Sequence, residues 1–363
     1  MTYRNFTKPL SLLVPIVLAC ALPWPTQADS STYQTEVLVD QLDYPWSAAF
    51  LPNGDMLLAE LSGSLLRITP EQEKFTIEGM PEVYFAGQGG FFDITPHPDF
   101  IQNQQVFLSY ASGDSAANGT TVAQARLIDD KLTGLEVIWR AIPQKYAPLH
   151  YGGRLAWFNG DLLLTTGDGF DYREKAQGTG NAFGKTILLT VAGNNTGPFA
   201  EAPDVWSFGH RNPQGLAVAA DGTVYQHEHG PKGGDEINII KPGLNYGWPA
   251  VTHGEDYNGA YVSPFKEHPS MENPIHVWVP SIAPSGLMVY EGEMFPEWQG
   301  NLFVGALVDQ EVRRLELAGG QIKQETAAFP EIAARIRDIR QAPDGAIIVI
   351  TDGADGKVYR VSR

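Results

Sequence analysis

The chain is 363 residues long, with 42 acidic and 25 basic side chains, a formal net charge of −17 and a single cysteine. This excess of negative charge argues against nucleic acid and anionic membrane as partners, and one cysteine excludes an internal disulfide even in an oxidising compartment. The length suits one large domain or two smaller ones, and no linker divides it.

Residues 1–28 read as an export signal peptide. Arg4 and Lys8 give a basic start, Leu10 to Leu22 form an apolar run of 13 residues, and Thr26-Gln-Ala28 is a small-residue cleavage site. The run is too short to span a bilayer, so residues 29–363 are expected as one domain in the periplasm or outside the cell. Cys20 offers a second reading: Val17-Leu-Ala-Cys20 loosely resembles a lipoprotein processing site, where an acylated cysteine becomes the new N-terminus.

Beyond the leader, short apolar runs follow turn-forming residues at intervals. They are Pro52-Asn-Gly-Asp-Met-Leu-Leu-Ala59, Phe158-Asn-Gly-Asp-Leu-Leu-Leu-Thr165, Ala220-Asp-Gly-Thr-Val-Tyr225, Trp298-Gln-Gly-Asn-Leu-Phe-Val304 and Pro343-Asp-Gly-Ala-Ile-Ile-Val-Ile350. Ile101-Gln-Asn-Gln-Gln-Val-Phe-Leu-Ser109 is a sixth such unit, without the glycine. These are hairpin signals, and six units give roughly 55 residues each, slightly above typical propeller repeats. Sustained helical periodicity is scarce. An all-β, six-bladed β-propeller fits best, with loops from every blade converging on a central channel; a β-sandwich is the alternative.

The loops carry the chemistry. Trp206-Ser-Phe-Gly-His-Arg-Asn-Pro-Gln-Gly215, His227-Glu-His-Gly-Pro-Lys-Gly-Gly-Asp-Glu236 and Gly243-Leu-Asn-Tyr-Gly-Trp-Pro249 set charged and aromatic side chains among glycines and prolines, as binding loops do. Read alone, His150 beside glycines suits a structural histidine, Arg211 a donor to loop carbonyls, and Arg335 with Arg337 a solvated strand face. The turn at Gly230-Pro231 presents carbonyl oxygens suited to calcium. His227 and His229 have the look of a zinc pair but lack a third ligand in register.

Several blocks, in order, resemble the soluble quinoprotein aldose sugar dehydrogenases, relatives of soluble glucose dehydrogenase that use pyrroloquinoline quinone (PQQ) and calcium. The blocks are Gly87-Gln-Gly-Gly-Phe-Phe-Asp93 with His97-Pro98, His150-Tyr-Gly-Gly-Arg-Leu155, Gly167-Asp-Gly169, the three loops above, and Arg335-Ile-Arg-Asp-Ile-Arg340. The resemblance, from about Leu42 onward, implies that His150 is the general base, that Asp168 orients it, and that Arg211 and Asn212 stand near the reactive quinone carbonyl. It implies cofactor contacts at Gln88, Tyr257, Ala306, Leu307, Arg335 and Arg337, the last two meeting PQQ carboxylates. The carbonyls of Gly230 and Pro231 would hold the catalytic calcium, and Glu236 and Tyr246 a structural one.

Two departures stand out. Family members commonly read Gly-Ala-Leu-Lys where this chain reads Gly305-Ala-Leu-Val308, so one cation for the PQQ carboxylates is missing. Glucose-specific relatives carry an acidic residue where Leu149 precedes the base, which argues against strict glucose specificity. The expected activity is oxidation of the anomeric hydroxyl of aldoses to lactones, with electrons passing to an external quinone or cytochrome. A calcium-dependent propeller lactonase, or a non-enzymatic propeller with weakened cofactor binding, is the rival expectation.

Overall fold

The computed structural model describes residues 33–191 and 197–363. The leader over residues 1–28, with Cys20 and the cleavage site at Thr26-Gln-Ala28, lies outside the described residues. Tyr33–Arg363 form one compact unit.

Six four-stranded antiparallel sheets follow one another along the chain: residues 45–76, 91–140, 155–208, 213–278, 284–328, and 336–362 joined by Gln34–Leu42. These are the expected six blades. The sixth takes its outermost strand from the N-terminal side, since Gln34–Leu42 pairs with Gly356–Ser362. The ring is closed by that ladder, which also covers an otherwise open strand edge.

All six sequence units mark the first turn of a blade. In five of them Gly54, Gly160, Gly222, Gly300 and Gly345 adopt φ between 76° and 93°, backbone that a residue without Cβ enters freely. In the second blade Gln104 takes this role at φ 55° after the short helix Phe100–Asn103, so the missing glycine changed the turn and not the plan.

Second strands are buried on both faces. Met56–Glu60, Leu302–Ala306 and Ile347–Thr351 expose no residue, so they read as continuous apolar runs. The outer strand Lys131–Arg140 instead largely alternates exposed with half-buried positions. Apolar clusters fill the junctions between blades, for example Leu57 against Phe91 and Val106, Leu163 against Leu216, and Val312 against Ile339. Stacking of this kind around a ring excludes the sandwich.

Five innermost strands shift register near their start, at Pro45/Ser47, Phe91/Asp93, Pro213/Gly215, Ser285/Leu287 and Ile336/Asp338. Such bulges re-aim side chains. Asp93, Arg154 and Asp338, all buried, meet there with the half-buried Arg340 as a tetrad from the second, third and sixth blades. Arg340 donates to Asp338 at 2.7 Å and to Asp93 at 3.1 Å. Arg154 lies 3.0 Å from Asp338 in an ion pair too bent for a hydrogen bond. It also donates to the Gln214 carbonyl at 2.8 Å and stacks over Trp46 at 4.0 Å.

Candidate active site

In each blade the first turn lies at one end of the ring, while the segments entering the first strand and leaving the second lie at the other. Gln88, His150, Arg211 and Arg335 precede first strands; Asp168, Gly230, Leu307 and Asp352 follow second strands. The topology therefore gathers the expected site residues at one mouth of the channel.

His150 enters from the third blade through a tight bend. Its own φ is 51°, and Gly152 and Gly153 follow at 68° and 101°. A Cβ on Gly152 would meet the Thr165 carbonyl at 2.5 Å, and one on Gly153 the Phe92 ring at 2.6 Å, so the bend requires both glycines. The backbone N–H of His150 donates to Gln88 Oε1 at 2.8 Å. Its Nδ1 lies 2.7 Å from Asp168 Oδ1. With Nδ1 protonated as donor, Nε2 is left as the free basic atom. Burial lowers the affinity of His150 for a proton; Asp168 opposes this, and the charges of Arg211 and Lys145 reinforce it. A buried, neutral imidazole results.

Asp168 is held on both oxygens. Oδ1 also accepts from the Phe170 N–H at 2.8 Å, and Oδ2 accepts from the Trp248 indole N–H at 2.7 Å. A cavity of about 300 Å³ opens beside them, bordered by His150, Asp168, Phe170, Arg211, Trp248 and Tyr257 among others. That is the small end of the range for ligand pockets, roughly 300–1,000 Å³. Arg211 is fixed by donating to the His229 carbonyl at 3.0 Å, the Gly230 carbonyl at 2.6 Å and the Tyr257 hydroxyl at 3.2 Å. Asn212 accepts from the Gln214 side-chain amide at 3.2 Å.

Beneath Arg211 lies a pair of carboxylates. Glu228 and Glu236 face each other across the hairpin register; Glu228 is buried and Glu236 half-buried. Burial pushes Glu228 up to about 8. Glu236 is raised well above the usual carboxylate range by burial and then by the charge of Glu228. Glu228, Gly230, Gly234, Glu236, Tyr246 and Thr252 border a small void here. The Tyr246 hydroxyl donates to the Ile239 carbonyl and accepts from the Lys241 N–H, both at 2.8 Å, which leaves its carbonyl for a ligand. Carboxylates and carbonyls form a hard-oxygen set that fits calcium. Among the described residues no cluster of three His, Cys, Asp or Glu side chains is present, so backbone carbonyls would have to complete the shell. Sequence reasoning missed Glu228; its signal was the hairpin that sets it opposite Glu236.

Arg335 and Arg337 sit on the sixth blade and do not border the His150 cavity. Both bond Asp352, with closest distances of 3.1 and 2.9 Å, and Arg335 also donates to the Leu307 carbonyl at 3.1 Å. Two guanidiniums sharing one carboxylate keep a surplus positive charge, which fits an anionic group. Ala306 and Leu307 are buried, and Val308 is exposed. His227 and His229 reach the carbonyls of Gly286 and Pro284 at 2.9 and 2.7 Å, which ties the fourth blade to the fifth and occupies Nε2 of each ring.

The sequence matches the Glucose / Sorbosone dehydrogenase family over residues 42–360. It is 37% identical to the aldose sugar dehydrogenase YliI of Escherichia coli, over 96% of this chain and 97% of that one. The fold superposes on the soluble aldose sugar dehydrogenase of Escherichia coli in its apo-form with a TM-score of 0.87 at 37% identity, covering 91% of this chain and 99% of the other. It superposes on the PQQ-bound aldose sugar dehydrogenase of Streptomyces coelicolor with a TM-score of 0.76 at 25% identity, covering 92% and 99%. The chain belongs to the Glucose / Sorbosone dehydrogenase family of oxidoreductases and has their six-bladed propeller fold. It is similar both to aldose sugar dehydrogenases and to a glucose dehydrogenase structure, the latter 39% identical with a TM-score of 0.87, covering 91% of this chain and 99% of the other.

Proposed function

We propose that this protein is a PQQ- and calcium-dependent aldose sugar dehydrogenase that oxidises the anomeric hydroxyl to a lactone. The observation that carries the reading is the His150–Asp168 dyad, which faces Arg211 across one small cavity. His150 Nε2 removes the hydroxyl proton as the carbon is oxidised, and Asp168 stabilises the imidazolium that forms. Arg211 presents a fixed guanidinium to negative charge developing on oxygen. The carbonyls of Gly230 and Pro231 would hold the catalytic calcium, and Glu236 and the Tyr246 carbonyl, with the neighbouring Glu228, a structural one, while Arg335 and Arg337 would meet carboxylates of the cofactor. When bound, PQQ supplies the two-electron acceptor and calcium polarises it. The leader pattern supports an exported enzyme whose electrons pass to a quinone or cytochrome.

Purified protein should be supplied with PQQ and calcium and assayed on several aldoses with a dye acceptor. Dye reduction that needs both additions supports the reading. Chelator-sensitive lactone hydrolysis without PQQ would replace it with the lactonase alternative, and inactivity at high micromolar PQQ would leave a non-enzymatic propeller.

A further inference from the structure

We propose that Trp248 is a positioning residue for the base: its indole N–H fixes the second oxygen of Asp168, so that the carboxylate keeps His150 in one tautomer and one orientation. The proposal rests on the reading of His150 as the base.

The argument begins with the carboxylate. Asp168 Oδ1 accepts from both His150 Nδ1 and the Phe170 N–H, but one fixed oxygen leaves the group free to twist about its last bond. The hydrogen bond to Oδ2 comes from Trp248 Nε1 at 2.7 Å, between residues 80 apart in the chain and from different blades.

The donor is itself held. The Trp248 N–H donates to the Gly209 carbonyl at 2.9 Å, and its carbonyl accepts from the Gln177 side-chain amide at 2.7 Å. Gln177 is locked in turn by reciprocal bonds to Asn245 at 3.1 and 2.8 Å. Trp248 belongs to the long segment between strands Asp235–Ile240 and His276–Trp278, so an excursion of the fourth blade supports the base of the third. The same ring lies 5.4 Å beneath the Arg211 guanidinium, and the Arg211 carbonyl accepts from the Asp168 N–H at 2.7 Å. Asp168, Trp248 and Arg211 thus close a loop of contacts that ties the base's partner to the charged group across the cavity.

Apart from Asp168, the charged or titratable groups acting on His150 are Arg211 and Lys145, with His229 in reach. Trp248→Phe changes the charge of none of them and keeps an aromatic ring beneath Arg211. Loss of the indole donor would leave more negative charge on Asp168, which favours the imidazolium. The neutral base would then persist over a narrower range on the acid side.

The test uses the full chain. In protein reconstituted with PQQ and calcium, Trp248→Phe should lower kcat about tenfold, the scale at which loss of an outer orienting bond is felt, with KM within about twofold. The acid limb of kcat/KM should move up by about one pH unit, the lower end of the effect of a neighbouring charge. In the Asp168→Asn background the same substitution should add nothing. His150 titration followed by NMR without cofactor should shift in the same direction, and this arm stands even if no aldose is oxidised. If Trp248→Phe does not fold, tryptophan replaced by its benzothiophene analogue keeps the ring size and removes only the donor. An unmoved acid limb and titration, or an undiminished effect in the Asp168→Asn background, would overturn the proposal and leave Trp248 as packing.

Discussion

Two buried charge clusters occupy this protein, and they differ in balance. In the tetrad of Asp93, Arg154, Asp338 and Arg340, two acids meet two guanidiniums at contact distance, with Trp46 and carbonyls taking up the remaining donors. At the mouth, Glu228 and Glu236 face each other and Asp168 is nearby, while Arg211 gives its guanidinium to carbonyls and to Tyr257. The first cluster is balanced in charge and ties blades together. In the second, burial holds Glu228 and Glu236 above the usual carboxylate range, because a carboxylate taken out of water without a close cation is costly. A chain retains such an imbalance where something else completes it, so residual charge separates the ligand site from the structural one although both are buried and polar.

The contrast can be broken at its strongest point first. His150→Ala should cost about 10²–10⁴-fold in sugar oxidation, as loss of a general base does, with PQQ affinity kept within about an order of magnitude and Tm little changed. Turnover above about half the wild-type value would move the base elsewhere. Arg154→Leu should do the opposite. It leaves Asp93 and Asp338 to share Arg340 alone, an unbalanced charge in the interior that should destabilise the fold by about 3–5 kcal/mol, read as a lower denaturation midpoint, while surviving molecules keep their KM. A large KM change without a stability change would turn the tetrad into part of the site.

Calcium should sharpen the distinction next. At a hundredfold excess over Kd it should stabilise the protein by about 2.7 kcal/mol, and Glu236→Gln should abolish most of that gain; equal stabilisation of both proteins would place the ion away from this pair. Chelation should inactivate the reconstituted enzyme, and full activity with the metal absent by elemental analysis would remove calcium from the reaction. The smallest expected effect belongs to Val308. Val308→Lys restores an ammonium near Arg335 and Arg337, and one charge-assisted hydrogen bond of about 1.5–3 kcal/mol tightens PQQ binding by roughly 10- to 150-fold. Titration of the apoprotein by fluorescence quenching would measure it, and no change would mean that the two arginines already suffice.

The parts of this architecture visible in the sequence were those fixed by short-range rules. First turns announced themselves because five of them need a residue at positive φ, and second strands because burial on both faces makes them continuously apolar. His150 and Asp168 were identified by resemblance, not by spacing: alone, a histidine among glycines reads as structural. Glu228 and Trp248 stayed hidden for a different reason. Each acts across a sheet register or between blades, and nothing within a few residues of either marks the partner. Arg154, Asp338 and Arg340 stood inside the recognised blocks, yet only the ring shows that their positions serve cohesion between blades, while the neighbouring Arg335 and Arg337 turn toward Asp352.

The strand Gln34–Leu42 gives the protein a chronology as well as a shape. It emerges early in synthesis, but its partner Gly356–Ser362 lies nearly the whole chain away. Until the last strands of the chain are in place, Gln34–Leu42 has no edge to pair with. Joining such distant ends adds little equilibrium cost, because loop entropy grows only with the logarithm of length; its price is delay, since non-local pairings form slowly. The seam is therefore the pairing most open to capture by a neighbour's strand while the chain folds.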